Sequence, residues 1–393
     1  MVGVLAAFEQ RIGAWRYERS ADAASKRDVR IDLLRGFCVF VMIVDHVGGD
    51  TSWLYWLTGG NRFFVSAAEG FLFLSGVSMG MVHQVTIQRK GVRAMFGKVL
   101  GRAWFLYSLT VLLTIAFAAV STTLGAPYAD TMTPSKGRLD FTFSVITFHR
   151  AYSLTDILVL YTLLMLAAGP ALWLIARGYT GVVLAASTTA WAVAQVWPER
   201  IPRAWQITDG GFPFSAWQLI FFIGLVLGFH RHRIAAYLRP SALIAFGIAG
   251  IVALYVIRIL TINVIDTGGD LDVHELLFDK NDARIGRIVA LLALASFAYA
   301  AVTLAWLGLR RATGWLLLPM GQRALYAYAV QLFVVAFFAS ELMAPIRLDR
   351  ENALFQATAV GIVWVACLAQ PRLVAAWRRV VMRVQSAPAT VPG

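Results

Sequence analysis

Long apolar runs recur along the chain, broken by short polar segments. A membrane-crossing helix needs about 20 largely apolar residues. Ten segments meet or approach that length: 31–48, 63–85, 102–121, 155–176, 180–197, 213–229, 241–263, 285–308, 322–340 and 352–370. The pattern predicts an all-α fold, a polytopic transmembrane helical bundle of about ten helices. The first span is the weakest by hydropathy, because it holds Asp32, Arg35, Asp45 and His46.

The flanks read differently. In 1–30, Leu5, Phe8, Ile12 and Trp15 recur at helical spacing beside Arg11, Arg16 and Arg19. That pattern suits a cytoplasmic amphipathic segment lying on the inner leaflet; a disordered tail is the competing reading. The stretch Met1–Phe8 is short and lacks a basic lead, so it does not read as a secretory signal. The expected organisation is this segment, a transmembrane domain over 31–370, and a basic cytoplasmic tail over 371–393 whose last residues, Ser386–Gly393, read as disordered.

Composition strengthens the membrane reading. Only 15% of residues are charged and 59% are hydrophobic, whereas soluble domains run near a quarter charged. The net charge of +13 would suggest nucleic acid in a soluble chain, so the position of the charges matters. With the N-terminus inside, the inner segments hold 22 Lys and Arg and the outer segments 10, while 14 acidic residues fall in the outer loops. The positive-inside rule thus supports both termini in the cytoplasm of a multi-pass inner-membrane protein. Topology accounts for the basic balance without nucleic acid. Two cysteines, Cys38 and Cys367, both in apolar runs, give no disulfide frame and no zinc site. No phosphate-binding glycine loop, CxxC or HExxH is present, and the HRHR run at 230–233 reads as a solvated inner-face cluster. No metal and no permanently bound cofactor is expected.

Ionisable groups inside a membrane are costly and become functional candidates by default. Eleven positions separate Arg35 from His46. At about 100° per residue they fall within roughly 20° of one face, with a rise between them of about 16 Å. Asp32 lies one turn before Arg35 and could pair with it. A guanidinium suits an anionic donor entering from the cytoplasm, and an imidazole at the outer end suits a general base. The structural alternatives are snorkelling for Arg35 and an interhelical hydrogen bond for His46.

In the second span, Glu69, Phe73, Gly76, Gly80 and His83 form one stripe. Its small residues would let a neighbouring helix approach closely. Glu69 falls near the depth of His46 and could orient the imidazole, as in a triad; a purely structural carboxylate is the alternative. Asp45 points about 100° from His46 and is the weaker partner. Ser75 and Ser78 suit helix–helix hydrogen bonds better than nucleophilic attack, for no glycine elbow surrounds them. Asp156 opens the fourth span, where Ser153 or Thr155 could cap the helix. Gln218 needs a partner inside its span and, with Trp217, is a candidate for oxyanion stabilisation. Arg258 could snorkel or bind an acidic acceptor. The long outer loops 122–153 and 264–284 could shape an acceptor site.

The run RDVRIDLLRGFCVFVMIVDHV followed by SAAEGFLFLSG resembles the start of OpgC proteins, membrane succinyltransferases of periplasmic glucans within the acyltransferase-3 superfamily. The superfamily signature is an Arg, ten residues and a His in the first helix, as Arg35 and His46 stand here. TDILVLYTLLML (155–166) and FPFSAWQLIFFIGLVLG (212–228) resemble the family too, and GQRALYAYAVQ (321–331) does so more weakly. Gly70 stands where the family motif has an apolar residue, and Val159 where it has proline. The resemblance implies transfer of an acyl group, succinyl or acetyl, from cytoplasmic acyl-CoA to a hydroxyl of an extracytoplasmic glycan. It implies His46 as base, Glu69 as supporting acid and Arg35 as a donor-site residue. Ser75, Asp156, Trp217, Gln218, Arg258 and Asp32 complete the expected substrate-binding set, with Asp45 beside the base. A transporter or flippase of an acylated glycan or lipid is the alternative, since buried charges also mark transport paths; a glycan-binding scaffold with a degenerate site is a third. The sequence leaves the acyl chain, the acceptor and the oligomeric state open.

Overall fold

A computed structural model describes residues 28–47, 52–60, 63–124, 137–152, 154–197, 212–237, 240–260, 273–339 and 353–385. Among them the chain is helical throughout: α1 Val29–Val47, α2 Trp53–Leu57, α3 Ala67–Leu124, α4 Arg138–Ile146, α5 Asp156–Ala176, α6 Thr180–Val196, α7 Phe214–Phe229, α8 Arg231–Tyr237, α9 Pro240–Leu260, α10 Val273–Phe278, α11 Ile285–Leu304, α12 Trp306–Gln322, α13 Ala324–Ala339 and α14 Ala353–Gln385. The expected amphipathic segment before residue 28, Ser153 and the tail after 385 lie outside the described residues.

Five helical segments are long and apolar enough to cross a bilayer: Ala67–Val120, Asp156–Ala176, Ser241–Leu260, Ile285–Leu304 and Ala353–Arg379. The first is two helices. Gly91 sits at φ 79° and ψ 173° and kinks α3, at a conformation that L side chains rarely adopt. The two halves coincide with the separate spans read at 63–85 and 102–121. Thr180–Val196, Phe214–Phe229 and Ala324–Phe338 are shorter apolar helices.

The structure extends or revises the reading at three places. Segment 309–321, assigned to an inner connection, belongs to helix α12, which packs on α1. The bundle starts before residue 31: Asp28 and Arg30 are buried and joined at 2.9 Å, and Tyr299 and Thr303 of α11 bond them at 3.1 Å each. At the other end α14 runs on to Gln385, through most of the segment read as a tail.

Helix α1 is central, packing on α3, α11, α12, α13 and α14. Glycines set the tightest crossings. A Cβ on Gly36 would lie 2.0 Å from the Leu317 carbonyl oxygen, and one on Gly321 1.7 Å from that of Asp32, so α1 and α12 touch backbone to backbone. The stripe on α3 does what its small residues suggest, and its neighbour is α7. A Cβ on Gly76 or Gly80 would lie 2.2 Å from the carbonyl oxygen of Phe221 or Leu225, while Gly224 and Gly228 meet Phe73 and Val77 in return. The register is parallel, as spans two and six of an alternating bundle require. An added Cβ on Gly70 would lie 3.1 Å from Cys38 Sγ, so a larger side chain there would require the Cys38 side chain to shift.

Candidate active site

Arg35 and His46 stand on α1 as the sequence placed them. Between them, Met42 Sδ accepts from the Gln331 amide of α13 at 3.9 Å. Gln331 is fully buried, and its other amide atom has no partner among the described residues. At the far end of α1, Gln356 of α14 donates to the Val44 carbonyl at 3.1 Å and so takes up a terminal acceptor. Asp45 accepts from Thr58 at 3.1 Å. His46, in the last turn of α1, is exposed.

A string of polar groups links the two ends inside the bundle. Tyr161 of α5 lies within electrostatic range of Arg35 and Arg102, and its hydroxyl is 2.8 Å from Ser75 Oγ and 3.1 Å from the Phe71 carbonyl. Tyr328 of α13 is coupled to both Tyr161 and Asp156, and donates to the Leu154 carbonyl. Asp156 accepts from the Ile157 amide at 2.7 Å. Thr155 takes the N-cap position of α5 but gives no side-chain cap, for its hydroxyl turns to the Tyr152 carbonyl at 2.8 Å. Lys280, in the turn between α10 and α11, acts electrostatically on Asp45, His46 and Asp156 alike.

Glu69 is not bonded to His46. Its carboxylate accepts from Arg287 Nε of α11 at 2.6 Å and is ion-paired to the same guanidinium; its other oxygen accepts from the Ser66 amide at 2.9 Å and from the Ser66 hydroxyl. At the start of α3 Glu69 makes the carboxylate half of an S-x-x-E capping box by accepting the Ser66 amide, and the carboxylate is completely buried. Both oxygens are engaged, by Arg287 and by Ser66.

The expected oxyanion candidates are also committed. Gln218 accepts from Ser187 Oγ at 2.5 Å and donates to the carbonyls of Ser187 at 2.8 Å and Ser215 at 3.0 Å. Trp217 donates its indole N–H to the Asn281 carbonyl at 3.0 Å. Ser75 is a helix–helix acceptor for Tyr161. Asp32 is buried where α12 crosses α1. Arg258 lies in the last turn of α9, which packs on α11 and makes no comparable contact with α1 or α5. Sequence reasoning passed over Lys280, Arg287, Gln331, Tyr161 and Tyr328. Of these, only Arg287 carried a signal, as a charge within a span.

A cavity of about 350 Å³ opens in the groove between α1, the first half of α3 and α11. Leu34, Cys38, Val41, Gly70, Leu291 and Tyr299 are among its mostly apolar lining, and neither Arg35 nor His46 borders it. Among the described residues no cluster of His, Cys, Asp and Glu could hold a metal ion.

An all-helical arrangement of apolar helices, with buried charges on its central helix, belongs to the class of multi-pass membrane proteins. A family model described as OpgC protein matches residues 27–380, nearly the whole chain, and the chain belongs to the OpgC family. The family is one of membrane acyltransferases of glucan modification. No curated protein and no solved structure matches the chain.

Proposed function

We propose that the protein transfers an acyl group, succinyl or acetyl, from cytoplasmic acyl-CoA to a hydroxyl of an extracytoplasmic glucan, as a multi-pass protein of the inner membrane with both termini inside. The observation that carries this reading is the OpgC family match over residues 27–380, in a chain that holds Arg35 and His46 on one continuous helix, α1. Arg35 holds the anionic donor at one end. His46 Nε2 or Nδ1 takes the proton of the acceptor hydroxyl as its oxygen attacks the thioester carbonyl carbon at the other. The new C–O bond forms as the carbonyl π pair moves onto oxygen. When that pair returns, the C–S bond breaks, and the CoA thiolate leaves and takes the proton from His46.

Purified protein in proteoliposomes, given acyl-CoA and glucan, should form an acyl ester, and His46→Ala should reduce kcat by about 10²-fold or more. Turnover unimpaired in that variant overturns the mechanism. Glycan flux across the vesicle without any need for acyl-CoA would replace transfer with transport.

A further inference from the structure

Buried polar contacts hold α11 to its neighbours at both ends. Arg287, in its first turn, donates to Glu69 of α3 at 2.6 Å. Three turns on, the Tyr299 hydroxyl donates to Asp28 at 3.1 Å, and Asp28 is ion-paired to Arg30 at 2.9 Å. Between these clamps lies the cavity of about 350 Å³. Helix α3 lines it from Ala67 to Met81, about 21 Å of helix, and α1 from Ile31 to Val41, about 15 Å. One leaflet of a bilayer holds about 15 Å of hydrocarbon. The groove is therefore as deep as a lipid chain of one leaflet is long.

Its walls suit hydrocarbon and exclude ordered water. Leu34, Gly70, Leu292, Ala295 and Ala298 line it and are only partly buried, so it opens to the surroundings of the bundle. A buried water needs two to four polar partners. The polar lining residues spend theirs within the protein: Asp28 on Arg30 and Tyr299, Thr58 on Asp45, and Ser66 on Glu69.

The rim at the Asp28 end carries positive charge. Arg231 and Ile234 of α8 complete the wall there. Arg231 is partly exposed and Arg233 is exposed. No acidic residue stands between Asp209 and Asp266, and the Asp28 charge is met by Arg30. A guanidinium at the mouth of an apolar groove matches a phosphate joined to an acyl chain.

We propose that this groove binds an anionic phospholipid of the adjoining leaflet, with one acyl chain between α1, α3 and α11 and its phosphate at Arg231. The site is separate from the acyl-transfer residues, since neither Arg35 nor His46 borders it. The chain fills the space between the two clamps and so supports α11 against α3.

The test uses the full-length protein in phosphatidylcholine vesicles. A trace of phosphatidylglycerol carrying a diazirine in its chain is added and photolysed, and adducts are mapped by peptide mass spectrometry. Adducts should concentrate on Leu34, Val77 and Leu292 of the groove over Phe246 and Val252, which are exposed on α9. Ala295→Trp, which fills the groove, should abolish the groove adducts and leave those on α9. Arg231→Gln, at a partly exposed position, should lower groove labelling by phosphatidylglycerol about fivefold. Labelling by a diazirine phosphatidylcholine should be weaker in the wild type and unchanged by Arg231→Gln. Adducts spread evenly over the exposed helix faces overturn the proposal, for they show only a general lipid shell. Equal groove labelling by the two headgroups overturns the assignment to an anionic lipid. Displacement of the probe by a long-chain acyl-CoA but not by unlabelled phosphatidylglycerol gives the groove to a thioester and overturns it too.

Discussion

Glu69 and Arg287 illustrate how one buried residue serves several ends. The carboxylate caps α3 through Ser66 and binds the guanidinium that anchors α11. Removing one partner leaves the other charged and buried, which typically costs about 3–5 kcal/mol, whereas replacing both with apolar groups is often close to neutral. Glu69→Gln and Arg287→Met should therefore each lower the thermal midpoint in detergent markedly, and Glu69→Met with Arg287→Met should recover much of the loss. Turnover should not recover with it, because the start of α11 has lost its anchor on α3. A double variant with wild-type kcat would show that the pair only stabilises the fold. At this scale the sequence disclosed where the candidates lie and missed how they connect. Arg35 and His46 share a face because helical geometry requires it. The S-x-x-E box at Ser66–Glu69 was legible and speaks for a structural duty, yet the partner of Glu69 stands 218 residues away.

Among the helices, glycine positions divide into those that permit contact and those that do not. Gly228 on α7 would place a Cβ 2.0 Å from the Val77 carbonyl oxygen, while Gly97 on α3 has nothing within 4 Å of its would-be Cβ. Gly228→Ala should separate α3 from α7 and destabilise by about 1–3 kcal/mol, the usual range for overpacking. Gly97→Ala should be neutral or should stabilise by up to about 1 kcal/mol, since alanine favours a helix over glycine. Thermal unfolding of the two variants side by side distinguishes packing from propensity; equal midpoints would mean that the α3–α7 approach contributes little. The long apolar helices were legible because hydropathy reads them directly, and the small-residue stripe on α3 announced a close neighbour. Helix α12 was not legible. Its sequence WLGLRRATGWLLLPMGQ mixes two arginines with a proline and reads as a basic connection. Its burial depends on Gly36 and Gly321, a pair meaningful only once the two helices are seen together.

For the whole molecule, α12 bears on topology. The charge asymmetry of the loops argues for ten crossings with both ends inside. With α3 divided at Gly91 and α12 added, the described residues hold eleven helices of 16 residues or more. If α12 crossed the membrane, the end of α14 would lie on the opposite side from the Gly91 kink. If α12 stays on the side of the inner loops, both positions face the cytoplasm. The two arginines in mid-helix favour the second arrangement, for Arg310 and Arg311 are both exposed and each would cost about 2.5–3.5 kcal/mol at the bilayer centre. Single cysteines resolve it. Cys38 and Cys367 are buried and can be replaced by alanine, and Lys90, Leu139, Glu275 and Arg378 are exposed positions for the probes. In intact spheroplasts a membrane-impermeant maleimide should label Leu139→Cys and Glu275→Cys, and should reach Lys90→Cys and Arg378→Cys only after permeabilisation. Labelling of Arg378→Cys from outside, with Lys90→Cys still protected, would make α12 a true span and move the C-terminus across the membrane. The glutamate in that set matters most for the chemistry. Glu275 lies on α10, which packs on α11, and Arg287 in the first turn of α11 binds Glu69 in the first turn of α3, so its labelling from outside would put that end of the bundle on the face where a secreted glucan is available as acceptor.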